Sequence, residues 1–221
     1  MRRFLSILLA SLVLCAACAT GVSAAPKKTF NPDAITQCML ANDTRGILGN
    51  GHLAVVLVDE NSYANFYAYR RSGLVKVSYT PAQLQQFLKD GFPWAKSLFH
   101  FDRIVAFNVS LAEGRKMYDY VETTEFKEFM KEASFWASVW PVNGDNCTTV
   151  ARKTLEAGSN KYAFLYPFGL PNTAFYTLRM RLWLRAIPYT IYTPPGPKPE
   201  IPEEVLKDAR EGRPVEATPT N

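Results

Sequence analysis

Leu53-Ala-Val-Val-Leu-Val58 is a continuous apolar run, which is typical of a β-strand that is covered on both of its faces. Asn65-Phe-Tyr-Ala-Tyr-Arg70 follows after a short polar loop, so the two runs predict a β-hairpin. Leu74–Tyr79 and Arg103–Val109 have a similar strand-like composition. Together these runs predict an α+β fold in which a small antiparallel sheet packs against helices.

Two helices are marked by capping residues at their starts. Thr80 precedes Pro81, so Thr80 is expected to cap a helix over 81–90 with proline at its first position. Ser110 is expected to cap a second helix that runs to about Val121. Further helical stretches are predicted near 33–42, 124–133, 146–157 and 171–186, with Gly158 in the left-handed conformation ending the third of these.

The two ends of the chain differ in composition from its middle. Residues 1–24 have the features of an export signal, with two arginines, an apolar stretch and the small residues Val22-Ser23-Ala24. Cys18 lies in that segment and leaves a lipid anchor open as a second possibility. Residues 193–221 form a proline-rich, charged tail that is expected to be disordered. The chain is therefore predicted to be secreted or periplasmic, with a single folded domain over 25–192.

Charge and hydropathy argue against two classes of partner. Loss of Arg2 and Arg3 with the signal leaves 23 basic against 20 acidic residues, a mild net charge of +3. The sequence has no stripe of Lys and Arg residues of the kind that would indicate nucleic-acid binding. Arg179, Arg181 and Arg185 are expected on a solvated helix face. No run after the signal approaches the length of a transmembrane helix. Oligomeric state leaves no signal in the sequence.

Cys147 is the first candidate for a reactive group. It lies in Asn143-Gly-Asp-Asn-Cys-Thr-Thr-Val150, where a turn that Asp145 could cap is expected to lead into a helix. A helix start favours the thiolate form, which suits a nucleophile. The alternative is structural, because Cys38 and Cys147 are the two cysteines that remain after cleavage in an oxidising compartment. A Cys38–Cys147 disulfide in a non-catalytic module therefore stays open.

A thiol hydrolase also needs an imidazole and a group that orients it. His52 opens the strongest strand and is the favoured base, whereas His100, among aromatic residues, is expected to be a packed or capping histidine. If the hairpin loop centres on Ser62, His52 and Ser72 are cross-strand neighbours. A register one residue different places Asn65, Tyr67 and Tyr69 on the face of His52 instead. The candidates for the orienting residue are thus Asn65, Tyr67, Tyr69 and Ser72.

Three features in chain order can be compared with known families: the run Gly51-His-Leu-Ala-Val-Val-Leu-Val-Asp59, an aromatic strand, and the run Asn146-Cys-Thr-Thr-Val-Ala-Arg-Lys-Thr-Leu-Glu-Ala-Gly158. In this order they resemble the permuted papain-like superfamily. That superfamily includes NlpC-type cell-wall peptidases and the lecithin–retinol acyltransferase branch. The resemblance covers roughly residues 50–160 and implies Cys147 as nucleophile and His52 as base. It also implies a polar residue about 12 positions after His52, where this chain has Ala64.

The resemblance and the export signal together predict a secreted cysteine hydrolase with Cys147, His52 and Tyr69 in its catalytic site. Its substrate would be a peptide amide or an ester, with peptidoglycan as the first candidate and acyl transfer as a related chemistry. The Cys147 backbone N–H would stabilise the oxyanion. No cofactor and no metal ion is expected for this reaction.

Overall fold

A six-stranded antiparallel sheet organises the computed structural model, which describes residues 29–45, 51–70, 73–94, 97, 99–125, 146–163 and 170–195. Its strand order is β4-β3-β2-β1-β5-β6. The strands are β1 (Ile35–Asp43), β2 (His52–Asp59), β3 (Ala64–Arg70), β4 (Gly73–Tyr79), β5 (Arg103–Asn108) and β6 (Tyr189–Tyr192). The α-helices of the described ranges are α1 (Pro81–Asp90), α2 (Leu111–Thr123), α3 (Cys147–Gly158) and α4 (Pro171–Leu184). The predicted α+β class and antiparallel sheet are confirmed.

The central strand β1 corrects one prediction. A helix was expected near 33–42, but only a single 3-10 turn forms there, at Pro32–Ala34. Ile35–Asp43 instead pairs with β2 on one side and with β5 on the other. Pairing on both sides and burial on both faces outweigh the favourable helix propensity of residues such as Met39 and Leu40.

The predicted β2–β3 hairpin is present, and its register decides which side chains share a face. Val58 pairs with Ala64 and Ala54 pairs with Ala68, so the loop centres on Asn61 rather than on Ser62. Directly paired residues project to the same face of a sheet. Asn65, Tyr67 and Tyr69 therefore lie on the face of Leu53, and His52 lies on the other face.

The sheet separates two hydrophobic cores. One core lies between the sheet and the helices α2, α3 and α4, and it contains Leu53, Cys147 and Leu178. The other lies against α1 and the segment after it, and it contains Phe66, Phe87 and Phe101. Because apolar material covers both faces, every residue of β2 is buried.

Two helix starts have the predicted capping residues, whereas two helix ends differ from the prediction. Thr80 and Ser110 each form a reciprocal capping box at the start of α1 and α2. Gly158 is the last residue of α3, yet it is absent from the described residues with positive φ, so the predicted left-handed ending is wrong. Helix α4 ends at Leu184, two residues before the predicted boundary.

Several predicted segments lie outside the described residues. These are the export signal at 1–24 with Cys18, most of the 124–133 stretch, Ser72, and the tail beyond 195. Within the described ranges, no helix has both the length and the apolar character that crossing a bilayer requires.

Candidate functional site

Helix α3 begins at Cys147, and Asn146 caps it. The Asn146 side-chain oxygen accepts a hydrogen bond from the Thr149 backbone N–H at 2.9 Å. The Thr149 hydroxyl in turn accepts one from the Asn146 backbone N–H at 2.7 Å. These bonds satisfy two backbone N–H groups at the largely buried start of the helix and fix the position of Cys147. Asp145, which was expected to be the cap, lies outside the described residues.

The Cys147 thiol is enclosed in the core between the sheet and the helices. Burial raises the pKa of Cys147, and this is the largest effect on it. The nearby polar groups of Leu53 and Thr148 act in the opposite direction, and each of these effects is smaller than that of burial. The neutral thiol is therefore the stable form at neutral pH, and not the thiolate that a helix start alone would favour.

His52 lies on the opposite face of the sheet from Cys147. Side chains alternate along β2, so Leu53 belongs to the core that contains Cys147 and Ala54 belongs to the other core. The His52 ring stacks on Phe99 with 4.3 Å between ring centroids, on the side of Ala54. The structure therefore does not bring the predicted nucleophile and base together.

Each ring nitrogen of His52 is buried without a hydrogen-bond partner. Burial, and to a smaller extent the nearby positive charge of Arg70, lowers the pKa of His52 to about 3. The imidazole is thus neutral at neutral pH. Buried polar groups are normally paired, so two unpaired nitrogens on one ring call for an explanation.

The residues considered for the orienting role lie away from His52. Asn65, Tyr67 and Tyr69 are on the Cys147 face, and Tyr67 belongs to a hydrogen-bond network there. The Tyr67 hydroxyl donates to Glu122 at 2.6 Å and accepts from the Asn65 amide at 3.2 Å. Glu122 also pairs with Lys76, which extends the network to the surface. Tyr67 therefore ties β3 to α2, and Tyr69 shares the face of Cys147 rather than that of the imidazole.

Both cysteines of the described residues, Cys38 and Cys147, are free thiols. Cys38, on β1, and Cys147 are buried thiols in the same core, so the Cys38–Cys147 disulfide of the alternative interpretation is not present. Burial also raises the pKa of Cys38, which makes it an inert apolar side chain.

The other face of the sheet contains a charged group that the sequence did not single out. The Arg70 guanidinium lies 4.6 Å from the Phe99 ring centroid and 5.0 Å from that of Trp94. Its Nε and Nη2 are buried and have no hydrogen-bond partner, and the same holds for the Trp94 Nε1. His52, Arg70 and Trp94 thus bring unpaired polar groups together, and the Phe99 ring packs against two of them. We call His52, Arg70, Trp94 and Phe99 the Arg70 cluster.

A signal for Arg70 exists in the sequence. It continues the even-numbered series Phe66, Ala68, Arg70 along a strand whose other members on that face are buried and apolar. A charge in such a series is rare unless it is paired. Read together with the strand register, this position predicts a buried cation.

His100 is packed, as expected. Its ring lies 4.8 Å from that of Phe92, and its backbone N–H donates to Asp43 at 3.4 Å. The Asp43 carboxylate also accepts from the Arg45 backbone N–H at 3.1 Å. This carboxylate lies on the face of His52, because Asp43 and His52 are paired across β1 and β2.

Comparison of the chain with protein-family models, with curated proteins and with solved structures finds no match. The resemblance to the permuted papain-like superfamily therefore stays a prediction. Among the described residues, no group of three His, Cys, Asp or Glu side chains is placed to hold a metal ion.

Proposed function

We propose that this chain is a non-catalytic binding module and that its ligand is a small oxygen-bearing anion, a carboxylate or a phosphate, held by Arg70. The observation that carries the proposal is the buried guanidinium edge of Arg70, whose Nε and Nη2 both lack a partner. These two N–H groups are parallel and lie on one edge of the guanidinium. That edge is the one that binds a carboxylate or a phosphate through two hydrogen bonds.

The electrostatics of the site favour an anion. Arg70 forms no ion pair with any residue that the structure describes, and burial lowers its pKa to about 10. Arg70 is partly buried, and a partly buried charge without an ionic partner is unfavourable, so an anion that enters gains the attraction without creating a new unpaired group. Asp43 is on the same face, but it already accepts backbone hydrogen bonds from Arg45 and His100.

The neighbours of Arg70 supply further contacts for such a ligand. The Trp94 Nε1 is a donor, and neutral His52 can donate from one ring nitrogen while it accepts at the other. Phe99 stacks on His52 and also lies against the guanidinium, so it limits the movement of both. The cluster thus offers donors from strands β2 and β3 and from the segment that follows α1.

The binding of inorganic phosphate and of acetate, measured by calorimetry and by the rise in Tm at constant ionic strength, tests this proposal. We expect saturable binding of at least one anion, loss of binding in Arg70→Met, and weaker binding in Arg70→Lys, which keeps the charge but not the two-pronged edge. Arg103→Met is the matched control, because Arg103 lies 5.8 Å from the Tyr176 ring and outside the cluster. Equal effects of the two Met variants, or no binding of either anion, would refute the proposal.

A second candidate is the thiol hydrolase that the sequence resemblance implies, with a peptide such as that of peptidoglycan as substrate. The observation in its favour is that Cys147 begins α3 and lies in the same core as Leu53, the residue next to His52. Iodoacetamide labelling of native protein, followed by peptide mapping, distinguishes the two candidates. We expect Cys147 to label only on unfolding. Rapid labelling at neutral pH that His52→Ala slows would favour the hydrolase.

The location of the protein is a proposal as well. The features of residues 1–24 are the basis for proposing export to the periplasm or beyond, where small anions and cell-wall peptides are both present.

A further inference from the structure

The outer face of α4 and the adjoining strand β6 expose large apolar side chains. Trp183 is 69% exposed, Leu184 66%, Met180 45% and Tyr176 45%, and Ile191 on β6 is 38% exposed. Single exposed apolar residues are common, but four on one side of a helix, with a fifth on strand β6, mark an interaction surface. We call these five residues the α4 surface.

Helix α4 is apolar on its inner side as well. Phe175, Leu178 and Leu182 are fully buried in the core on the helix-covered side of the sheet. A helix that is apolar around most of its circumference is normally covered on all sides. Of the residues that the structure describes, none forms a covering layer over Trp183 and Leu184 on its outer side.

Positive charge surrounds this apolar surface. The stretch from Ala157 to Pro199 contains five basic residues and no acidic one, and three of the five are Arg179, Arg181 and Arg185 on or next to α4. Arg103 and Arg179 both lie over the Tyr176 ring, at 5.8 and 6.0 Å from its centroid. None of these four arginines is ion-paired to a residue in the described part of the chain.

We propose that the α4 surface binds the surface of an anionic lipid bilayer. Trp and Tyr favour the boundary between headgroups and acyl chains, and arginines beside them reach anionic headgroups. The aliphatic side chains of Leu184 and Met180 gain from burial among acyl chains. Exposed aromatic and aliphatic side chains bordered by arginines without ionic partners among the described residues are the combination with which a helix lies on an anionic lipid surface.

The shape of the α4 surface is suited to shallow contact with lipid headgroups. An open depression of about 280 Å³ is lined by Tyr176, Arg179, Met180, Trp183 and Tyr189. It places one guanidinium beside three aromatic rings, which suits a phosphate headgroup held at the rim of an apolar patch. No helix of the described residues is suited to span a membrane, so the contact would be peripheral.

The proposal is independent of the Arg70 cluster. That cluster lies against the core that contains Phe66 and Phe101, whereas α4 covers the other face of the sheet. Arg70→Met is therefore expected to leave lipid binding unchanged, so either proposal can fail without the other.

Co-flotation with vesicles tests the proposal. One vesicle preparation is phosphatidylcholine alone, and the other contains equal parts of phosphatidylcholine and phosphatidylglycerol. We expect binding to the anionic vesicles only, and weaker binding as salt increases. Arg179→Gln and Arg185→Gln should each weaken binding roughly fivefold, which corresponds to the contribution of one basic residue near an anionic surface.

The double variant Trp183→Ser/Leu184→Ser should abolish vesicle binding. Leu111→Ser is the matched control, because Leu111 is 53% exposed but lies on α2, away from the α4 surface. All proteins carry the same N-terminal segment, so any contribution of that segment cancels. Since the substituted residues are exposed, their Tm should match that of the unchanged protein, and this comparison excludes unfolding as the cause.

Three results would overturn the proposal. The first is equal binding to neutral and anionic vesicles, and the second is equal loss of binding in the Leu111 control. The third is a stable dimer in light scattering that the Trp183→Ser/Leu184→Ser variant dissociates, with no vesicle binding. That result would show that a second copy of the chain covers the α4 surface.

Discussion

Replacement of His52 by leucine should remove a specific part of the pH dependence of stability. His52 is 2% exposed, and burial lowers its pKa to about 3 in the folded chain. In the unfolded chain its pKa is about 6.5. Between these two values the unfolded chain binds a proton that the folded chain does not. The contribution of His52 to stability is therefore complete above pH 6.5 and is lost as the pH falls toward 3.

The magnitude follows from these two pKa values. Between pH 7 and pH 5 the loss from His52 amounts to roughly 2 kcal/mol, and between pH 7 and pH 3 it amounts to roughly 4 kcal/mol. At pH 7 the leucine variant should be within about 1.5 kcal/mol of the unchanged protein, because the lost ring stacking on Phe99 is offset by removal of two unpaired nitrogens.

Urea unfolding of both proteins at pH 7 and pH 5 measures this effect. The quantity of interest is the difference between the two pH-dependent changes in the free energy of unfolding. Every other titratable group is common to both proteins and cancels to first order in that difference. Identical pH dependence in the two proteins would refute the argument, since it would mean that His52 is accessible to protons in the folded state. Saturating phosphate should reduce the effect in the unchanged protein, because an anion beside His52 favours its charged form.

Three further substitutions test the packing of the helix layer, each by urea unfolding. Tyr67→Phe removes the 2.6 Å bond to Glu122 and should lower the free energy of unfolding by roughly 1.5–3 kcal/mol; a change below about 0.5 kcal/mol would contradict the role of that bond. Gly114→Ala should destabilise by about 1–2 kcal/mol, because the new Cβ would lie 2.7 Å from the Ile35 side chain; the gain of about 1 kcal/mol usual for this change in a helix would show that the contact relaxes. Asn146→Ala should cost roughly 1 kcal/mol through loss of the cap, and Asn146→Ser should restore most of it.

Local chemistry made the helix starts and the β2–β3 hairpin predictable. Thr80 and Ser110 cap helices through hydrogen bonds within three residues, so no distant contact is needed to recognise them. The hairpin follows from two adjacent strand-like runs joined by a short polar loop. Strand β1 could not be predicted in this way, because it is a strand only through its pairing with β2 and β5.

The position of His52 relative to Cys147 shows where the sequence is ambiguous. Strand β2 is apolar on both faces, so no alternation of polar and apolar residues indicates which face α3 covers. The order of His52 and Cys147 along the chain fits a catalytic pair equally well on either face. Only the packing of Cys147 beside Leu53 separates the two possibilities, and it places the imidazole on the far side of the sheet.

The strand order has a consequence for how the chain folds. The β2–β3 loop closes over four residues, whereas pairing of β1 with β5 joins Asp43 and Arg103 regions that are roughly 60 residues apart. Loop-closure entropy makes the second step costlier by roughly 2.4 kcal/mol. The meander of β1 to β4 can therefore assemble early, and until β5 pairs with it one edge of β1 has no partner strand. During that interval β1 is the strand most open to pairing with another chain, so substitutions that delay β5 should promote aggregation before they lower equilibrium stability.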